Sequence, residues 1–388
     1  MPATSTPIIN IQGNPVNGNQ IDPPTFFKYT RRQRGLMAGK ITSWAGFGEP
    51  DILELKPTGI LAAIDIHFSG SLTITLGTGT AASTAKWPYG LLRMCKLTAN
   101  GQSNLIMANG LFLKARELIS NPGLDDRGVS QTIAGATVNQ GTLSLNEESW
   151  GVGQNSTLTS GTYDVELSYR VPVAWDLVKL FGSLYLQTAA TSVILENDWC
   201  NLSDVFTLTG NATATMTGAW TAQGVVFTIP SVGGVGVIPD LSVFHSVTQN
   251  NTNQVALGQN NPVLAGQGTG KQLMRIFGNV WSGSTGPGAP LAMTSANFGQ
   301  LSWGYGLNDT PEVWNSGFDM AADVERSYSS DMGKYQGLFV MDFAKHWGFR
   351  DSVDEAAATQ LNVGIDLQNA PTNGRLEYCQ EVMIGASS

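Results

Sequence analysis

The chain has 388 residues, of which 42% are hydrophobic and only 13% charged, against about 25% charged in an ordinary soluble domain. That length holds two medium-sized domains, and the shortage of charge predicts large neutral surfaces buried in permanent interfaces. A formal net charge of -9 excludes a nucleic-acid binder with basic surface throughout, and no run approaches the roughly 18 consecutive apolar residues of a membrane-spanning helix.

Residues 1–44 are rich in Pro, Asn, Gly and Thr and read as an extended arm with one helical turn. Within the first forty residues Lys28, Arg31, Arg32, Arg34 and Lys40 face the single acid Asp22, a local +4 against -13 for the rest. Phe26 and Phe27 sit beside this basic cluster. The opening "MPATSTPIIN" shows neither the basic nor the apolar region of a secretory signal, so the expectation is synthesis in a host cytoplasm.

Strand patterns begin at Leu53. "GILAAIDIHFSGSLTITLG" (59–77) and "GLLRMCKLTAN" (90–100) are bounded by Gly or Asn. "NGLFLKARELISNPG" (109–123) places Leu111, Leu113, Leu118 and Ile119 near helical spacing and ends in Asn-Pro-Gly, a helix stop. A Gly/Thr/Gln/Asn stretch to about 160 reads as a surface loop with minor strands.

In "TYDVELSYRVPVAW" (162–175), Tyr163, Val165, Leu167, Tyr169 and Val171 alternate with polar residues, which predicts a half-buried strand. Pro172 ends its ladder because it has no N–H to donate. "DLVKLFGSL" follows as a short helix with Asp176 at its N-cap. "TSVILEND" and "VFTLTGNATATMTGAWTAQGVVFTI" supply further strands, and the Gly/Pro-rich "PSVGGVGVIPD" (230–240) marks a boundary between domains.

The second half repeats these ingredients. Strands are expected at "KQLMRIFGNVW", "FGQLSWGYG", "GLFVMDF", "QLNVGIDL" and "RLEYCQEVMI", with a helix near "GFDMAADVERSYS". A faint echo links the halves: a strand ending near Trp175 or Trp347, then "AAT" at 189–191 or 357–359 before the next strand. Two domains of similar build are expected.

No catalytic constellation is visible. His67 reads as a satisfied strand residue, His245 has no acid at ligand spacing, and His346 meets Asp342 only if that segment is helical. "AGQGTGKQ" fails the phosphate-loop pattern, with Ala265 in place of Gly and Gln272 in place of Ser or Thr. Cys95, Cys200 and Cys379 stand apart with no C-x-x-C, against both a zinc site and a disulfide framework. The expectation is a non-enzyme with no metal and no cofactor. Tryptophans, ten in all, read as core and interface material unless exposed in a row, which would suggest sugar binding.

"YDVELSYRVPVAWDLVKLF", "GVIPDLSVFHSVTQNNTNQ", "WNSGFDMAADVERSY", "GLFVMDF" and "NGRLEYCQEVMI" together resemble the double jelly-roll major capsid proteins of tectivirus type. Tyr169, Val171, Pro172 and Trp175 match the strand, proline and aromatic that lead into a short helix there. The resemblance runs over about 160–388. It implies a mainly antiparallel all-β chain with a few short helices and two jelly rolls in tandem, at 45–232 and 233–388, after an arm at 1–44.

It further implies a structural coat protein assembling as pseudo-hexagonal homotrimers in the icosahedral shell of a membrane-containing double-stranded DNA bacterial virus. Partners would be other copies of the chain, penton or minor capsid proteins and no nucleic acid. Phe26, Phe27, Lys28, Arg31, Arg32 and Arg34 would face the inner membrane or a neighbouring capsomer; a solvated arm is the plain alternative. Trp175 would plug the end of its roll. The charge-free runs 205–239 and 276–308 would lie in interfaces. The alternatives to a coat protein are a β-sandwich module that binds carbohydrate or a receptor, and a hydrolase built on stacked sandwiches with two acids facing each other in a cleft.

Overall fold

The computed structural model describes residues 7–9, 15–20, 23–36, 48–55, 58–99, 102–120, 128–133, 136–142, 155–186, 192–232, 235–239, 241–265, 270–283, 288–305, 309–328, 337–344, 352–354 and 361–385. Sixteen principal strands fall into two sets of eight. The first set is β1 (Arg32–Leu36), β2 (Pro50–Leu55), β3 (Ile60–Thr75), β4 (Leu92–Ala99), β5 (Gln102–Ala108), β6 (Gly161–Val171), β7 (Val193–Trp199) and β8 (Thr213–Phe227). The second is β9 (Val243–Val255), β10 (Gly258–Asn260), β11 (Lys271–Ser282), β12 (Phe298–Tyr305), β13 (Asp309–Trp314), β14 (Leu338–Asp342), β15 (Leu361–Leu367) and β16 (Gly374–Gly385). Three helices matter here: α1 (Pro23–Tyr29), α2 (Gly110–Ser120) and α3 (Gly317–Tyr328).

The two sets share one topology. In the first, strands run β6-β3-β8-β1 in one sheet and β5-β4-β7-β2 in the other. In the second, β14 and β16 flank β11, β9 continues beyond β16, and the facing sheet runs β13-β12-β15-β10. Each second-set strand thus occupies the place of the strand eight numbers earlier. Helices α2 and α3 fall at the same point, between the fifth and sixth strands. The "AAT" echo precedes β7 and β15, which are equivalent strands; the repeated residues, with Trp347 and His346, lie outside the described residues.

Each pair of sheets is a sandwich because its strands alternate. Along β6, Tyr163, Val165, Leu167, Tyr169 and Val171 are buried, as the two-residue period requires. They face Val193, Leu195 and Trp199 of β7 and Cys95, Leu97 and Ala99 of β4 in one core. Across that core the Asp51 carboxylate of β2 accepts the indole N–H of Trp199 at 3.2 Å and of Trp220, from the opposite sheet, at 2.9 Å. The second core gathers Ile276 and Val280 of β11, Phe298, Leu301 and Trp303 of β12, and Leu361, Val363 and Ile365 of β15. On β11, Gly278 leaves room for the Phe339 ring, which lies where a Cβ would stand.

The rolls are not separate blocks. β9 pairs in parallel with β5 through Val247↔Ile106 and Thr248↔Met107, so a single ten-stranded sheet runs through both. Much of the charge-free sequence is consumed inside: Trp220, Ala222, Val225 and Phe227, then Ile276, Phe277, Val280 and Trp281, are all buried.

Two expectations need correction. Residues 32–36, read as part of an arm, form β1 and pair with β8 from Arg32↔Phe227 to Leu36↔Gln223. The apolar signal was hidden because an edge strand facing solvent on one side tolerates "RQRGL". The segment "DLVKLFGSL" is a turn and not a helix. Asp176 does cap it, accepting from the N–H of Val178 at 2.8 Å and Lys179 at 2.5 Å. Leu180 then enters the left-handed region at φ 60° and Gly182 follows at φ 81°, which ends any helical course.

Candidate functional site

The place where both rolls meet is built on Trp175, which leaves β6 by way of Pro172. Its ring is buried and packs with Met274, Ala344 and Met383 of the second roll. Trp175 therefore fills the seam between the rolls. Its backbone is held on both sides: the N–H donates to Phe181 O at 2.7 Å, and the carbonyl accepts from Arg116 Nη2 at 2.9 Å.

Three charged or titratable side chains, Arg116, His245 and Arg275, pack against this ring, and two carboxylates, Asp342 and Glu381, bind them. Arg116 comes from α2 of the first roll; His245 from β9, Arg275 from β11, Asp342 from β14 and Glu381 from β16 belong to the second. Arg116 Nε donates to Glu381 Oε1, and Arg275 Nη1 donates to Glu381 Oε2 at 3.4 Å. Arg275 Nε also donates to Asp342 Oδ2 at 2.6 Å, and Asp342 Oδ1 accepts from the Ala344 N–H at 2.7 Å. The Arg275 guanidinium lies 4.6 Å from the centre of the Trp175 ring, a favourable cation–π placement. His245 Nδ1 stands 2.8 Å from the Pro172 carbonyl, which only accepts, so Nδ1 carries a proton. Its Nε2 lies 2.9 Å from Glu381 Oε1.

Electrostatics follow from the burial. Desolvation opposes charge on Glu381, but Arg116, His245 and Arg275 outweigh it and hold the carboxyl well below the usual carboxylate range. Asp342 goes the other way: burial raises it more than Arg275 lowers it. Burial also lowers Arg116, with Glu381 resisting. Sequence reading left His245 without an acid because Glu381 is remote in the chain; no local spacing signals the pair.

The other residues of the proline–tryptophan motif lie in the first core. Tyr169 is buried, its hydroxyl 3.3 Å from Tyr89 O and its ring edge-on to that of Tyr89. Val171 is buried in the first core.

The basic segment divides in two. Phe26 is fully buried with Ile60, Ala63, Val225, Phe227 and Ile238, and Phe27 packs edge-on against Phe227. Lys28, Arg31, Arg32 and Arg34 are exposed. Arg34 reaches Asp65 at 2.9 Å, where Arg170 also binds at 2.7 Å. Thus the aromatics anchor α1 to the first roll, Arg34 lies along it on Asp65, and Lys28, Arg31 and Arg32 are exposed.

Among the described residues no group of three or more His, Cys, Asp or Glu is placed to hold a metal ion. His67 pairs with Glu166 across β3 and β6 at 2.9 Å, a strand-surface contact. Seven described tryptophans are all at most 9% exposed, so none forms a sugar-stacking row among those residues.

No protein-family model matches the sequence, and no curated protein does. Solved structures do match. The major capsid protein of Sulfolobus Turreted Icosahedral Virus superposes with a TM-score of 0.63 at 13% identity, over 91% of this chain and 97% of that one. The capsid of PBCV-1 virus gives 0.52 at 10% identity, over 92% and 95%. Major capsid protein P2 of bacteriophage PM2 gives 0.50 at 10% identity, over 92% and 98%. Sixteen strands in two equivalent sets, matched over nearly the full length of each of these chains, give this protein the double jelly-roll fold of viral major capsid proteins.

Proposed function

We propose that this chain is the major coat protein of an icosahedral virus. The observation that carries the reading is the equivalence of β1–β8 with β9–β16, fused side by side through β5 and β9. Three such chains around an axis present six like blocks, so a trimer has a near-hexagonal outline that tiles a shell. Exposed apolar side chains such as Ile52 and Ile194 on the outer face of the first roll, and Val313 and Phe318 on the second, suit flanks covered by other copies. Support also comes from neighbours that are capsid proteins and match end to end.

The finer reading adds a membrane-containing double-stranded DNA virus of bacteria, with penton or minor capsid proteins as further partners. It is supported by the tectivirus-type sequence motifs. The exposed Lys28, Arg31, Arg32 and Arg34 on an anchored α1–β1 segment suit an anionic lipid surface, at about 1 kcal/mol per cation, or a neighbouring capsomer. The role is structural, without catalysis.

Sedimentation of the purified chain tests the assembly. A three-chain species that survives dilution is expected; a stable monomer at micromolar concentration overturns the reading. Electron microscopy of source material should show shells built from near-hexagonal capsomers.

A further inference from the structure

Beside the seam, a cavity of about 430 Å³ opens between the end of α2 and the turn after β6. Its volume lies within the roughly 300–1,000 Å³ of small-molecule sites. One wall is apolar, formed by Ala62, Ala63, Pro172, Ala174 and Leu177. The charged and hydroxyl groups that line it are the guanidiniums of Arg116 and Arg170, the Lys179 ammonium, the Ser120 hydroxyl and one carboxylate, Asp176, so cations outnumber anions three to one. The Ser120 hydroxyl is buried with no hydrogen-bond partner among the described residues, an expensive state unless something occupies the cavity.

The charge balance favours an anion. Asp65 serves two guanidiniums, Arg34 and Arg170. Glu117, which also acts on Arg170, is bound to Lys114 at 3.1 Å. Asp176 Oδ1 accepts from two backbone N–H groups of its own turn, and Glu381 is bound by Arg116 and Arg275. Among the described residues, Lys179 approaches the Phe181 ring at 5.9 Å and forms no ion pair.

The backbone around the cavity favours an alkyl body over a peptide. Ala174 N–H donates to Ala62 O at 2.7 Å, Trp175 uses both of its backbone groups, and the Pro172 carbonyl takes His245. Among the described residues no sheet edge is open there, so a peptide entering the cavity would bury its own N–H and C=O groups unpaired.

We propose that this cavity binds a single-chain anionic amphiphile, its carboxylate or phosphate oxygens held by Arg170, Lys179 and Ser120 and its chain laid along the alanine wall. The assignment is independent of the coat reading and holds for the isolated chain.

Titration calorimetry on the detergent-free full chain, with decanoate as probe, tests it. Decanoate should bind one per chain and about tenfold or more tighter than 1-decanol, with acetate silent. Ala174→Leu, which fills the cavity, should weaken decanoate by about tenfold or more. A Ser120→Ala/Lys179→Ala double variant removes two of the proposed ligands and no packed side chain, and should weaken decanoate about three- to tenfold without lowering the melting temperature of the free chain. The proposal is overturned if decanol binds as well as decanoate, if an acidic peptide displaces decanoate, or if the double variant binds decanoate like the parent chain. That last outcome decides even if Ala174→Leu fails to fold.

Discussion

Arg116 of the first roll and Glu381 of the second form a buried ion pair across the seam. A buried pair gains little over a well-packed apolar contact, yet removing one partner strands the other charge. Glu381→Gln should therefore destabilise the chain by about 3 kcal/mol or more, measured as a lowered denaturant midpoint. A change below about 0.5 kcal/mol, the scale of ordinary surface substitutions, would show that the seam carries no net load.

The same carboxylate makes a pH prediction. Its folded pKa is depressed below the ordinary 4.5, so its contribution is fully present above that value and is lost as pH falls towards the folded one. The stability advantage of the parent chain over Glu381→Gln should hold at pH 5–7 and shrink steadily below about pH 4.5. Denaturant titrations at successive pH values measure it. An advantage that grows on acidification would reverse the assigned sign.

Phe26 is buried against Phe227 and Val225, whereas Arg31 and Arg32 point to solvent. Phe26→Ala should cost about 3–5 kcal/mol, and Arg31→Gln with Arg32→Gln less than about 0.5 kcal/mol each. A chain starting at residue 41 lacks both α1 and β1 and should melt well below the full chain. Equal melting temperatures would mean that the α1–β1 segment is dispensable to the roll.

Asp51 draws together Trp199 and Trp220 from opposing sheets. Asp51→Ala removes the acceptor of two buried indoles and should cost about 2 kcal/mol or more. Tryptophan emission should change along with stability. Unaltered emission and stability would argue that the two indoles are served elsewhere.

The thiols of Cys95, Cys200 and Cys379 are free, buried and raised in pKa by desolvation, with nearby acids adding to it. A thiolate-specific disulfide reagent at pH 8 should label none in the native chain and all three after unfolding. Fast native labelling of any one would place it at an opening part of the fold.

Local order was written in the sequence. The two-residue alternation of 163–171 fixes which side chains β6 buries, and the helical spacings of 110–120 and 317–328 mark α2 and α3. These signals depend only on neighbours along the chain. Where a conformation turned on a single backbone angle, as at Leu180, or on an exposed edge, as in β1, composition pointed the wrong way. The seam was invisible for a different reason. Arg116 and Glu381 stand 265 residues apart, and no periodicity joins residues whose contact exists only after β5 and β9 have paired. Sequence by itself determined strands, punctuation and a charge-poor chain with two like halves. Tertiary structure alone decided that the halves share one sheet and that buried charge would be neutralised between them, because burial makes an unpaired ion too costly to leave in either half.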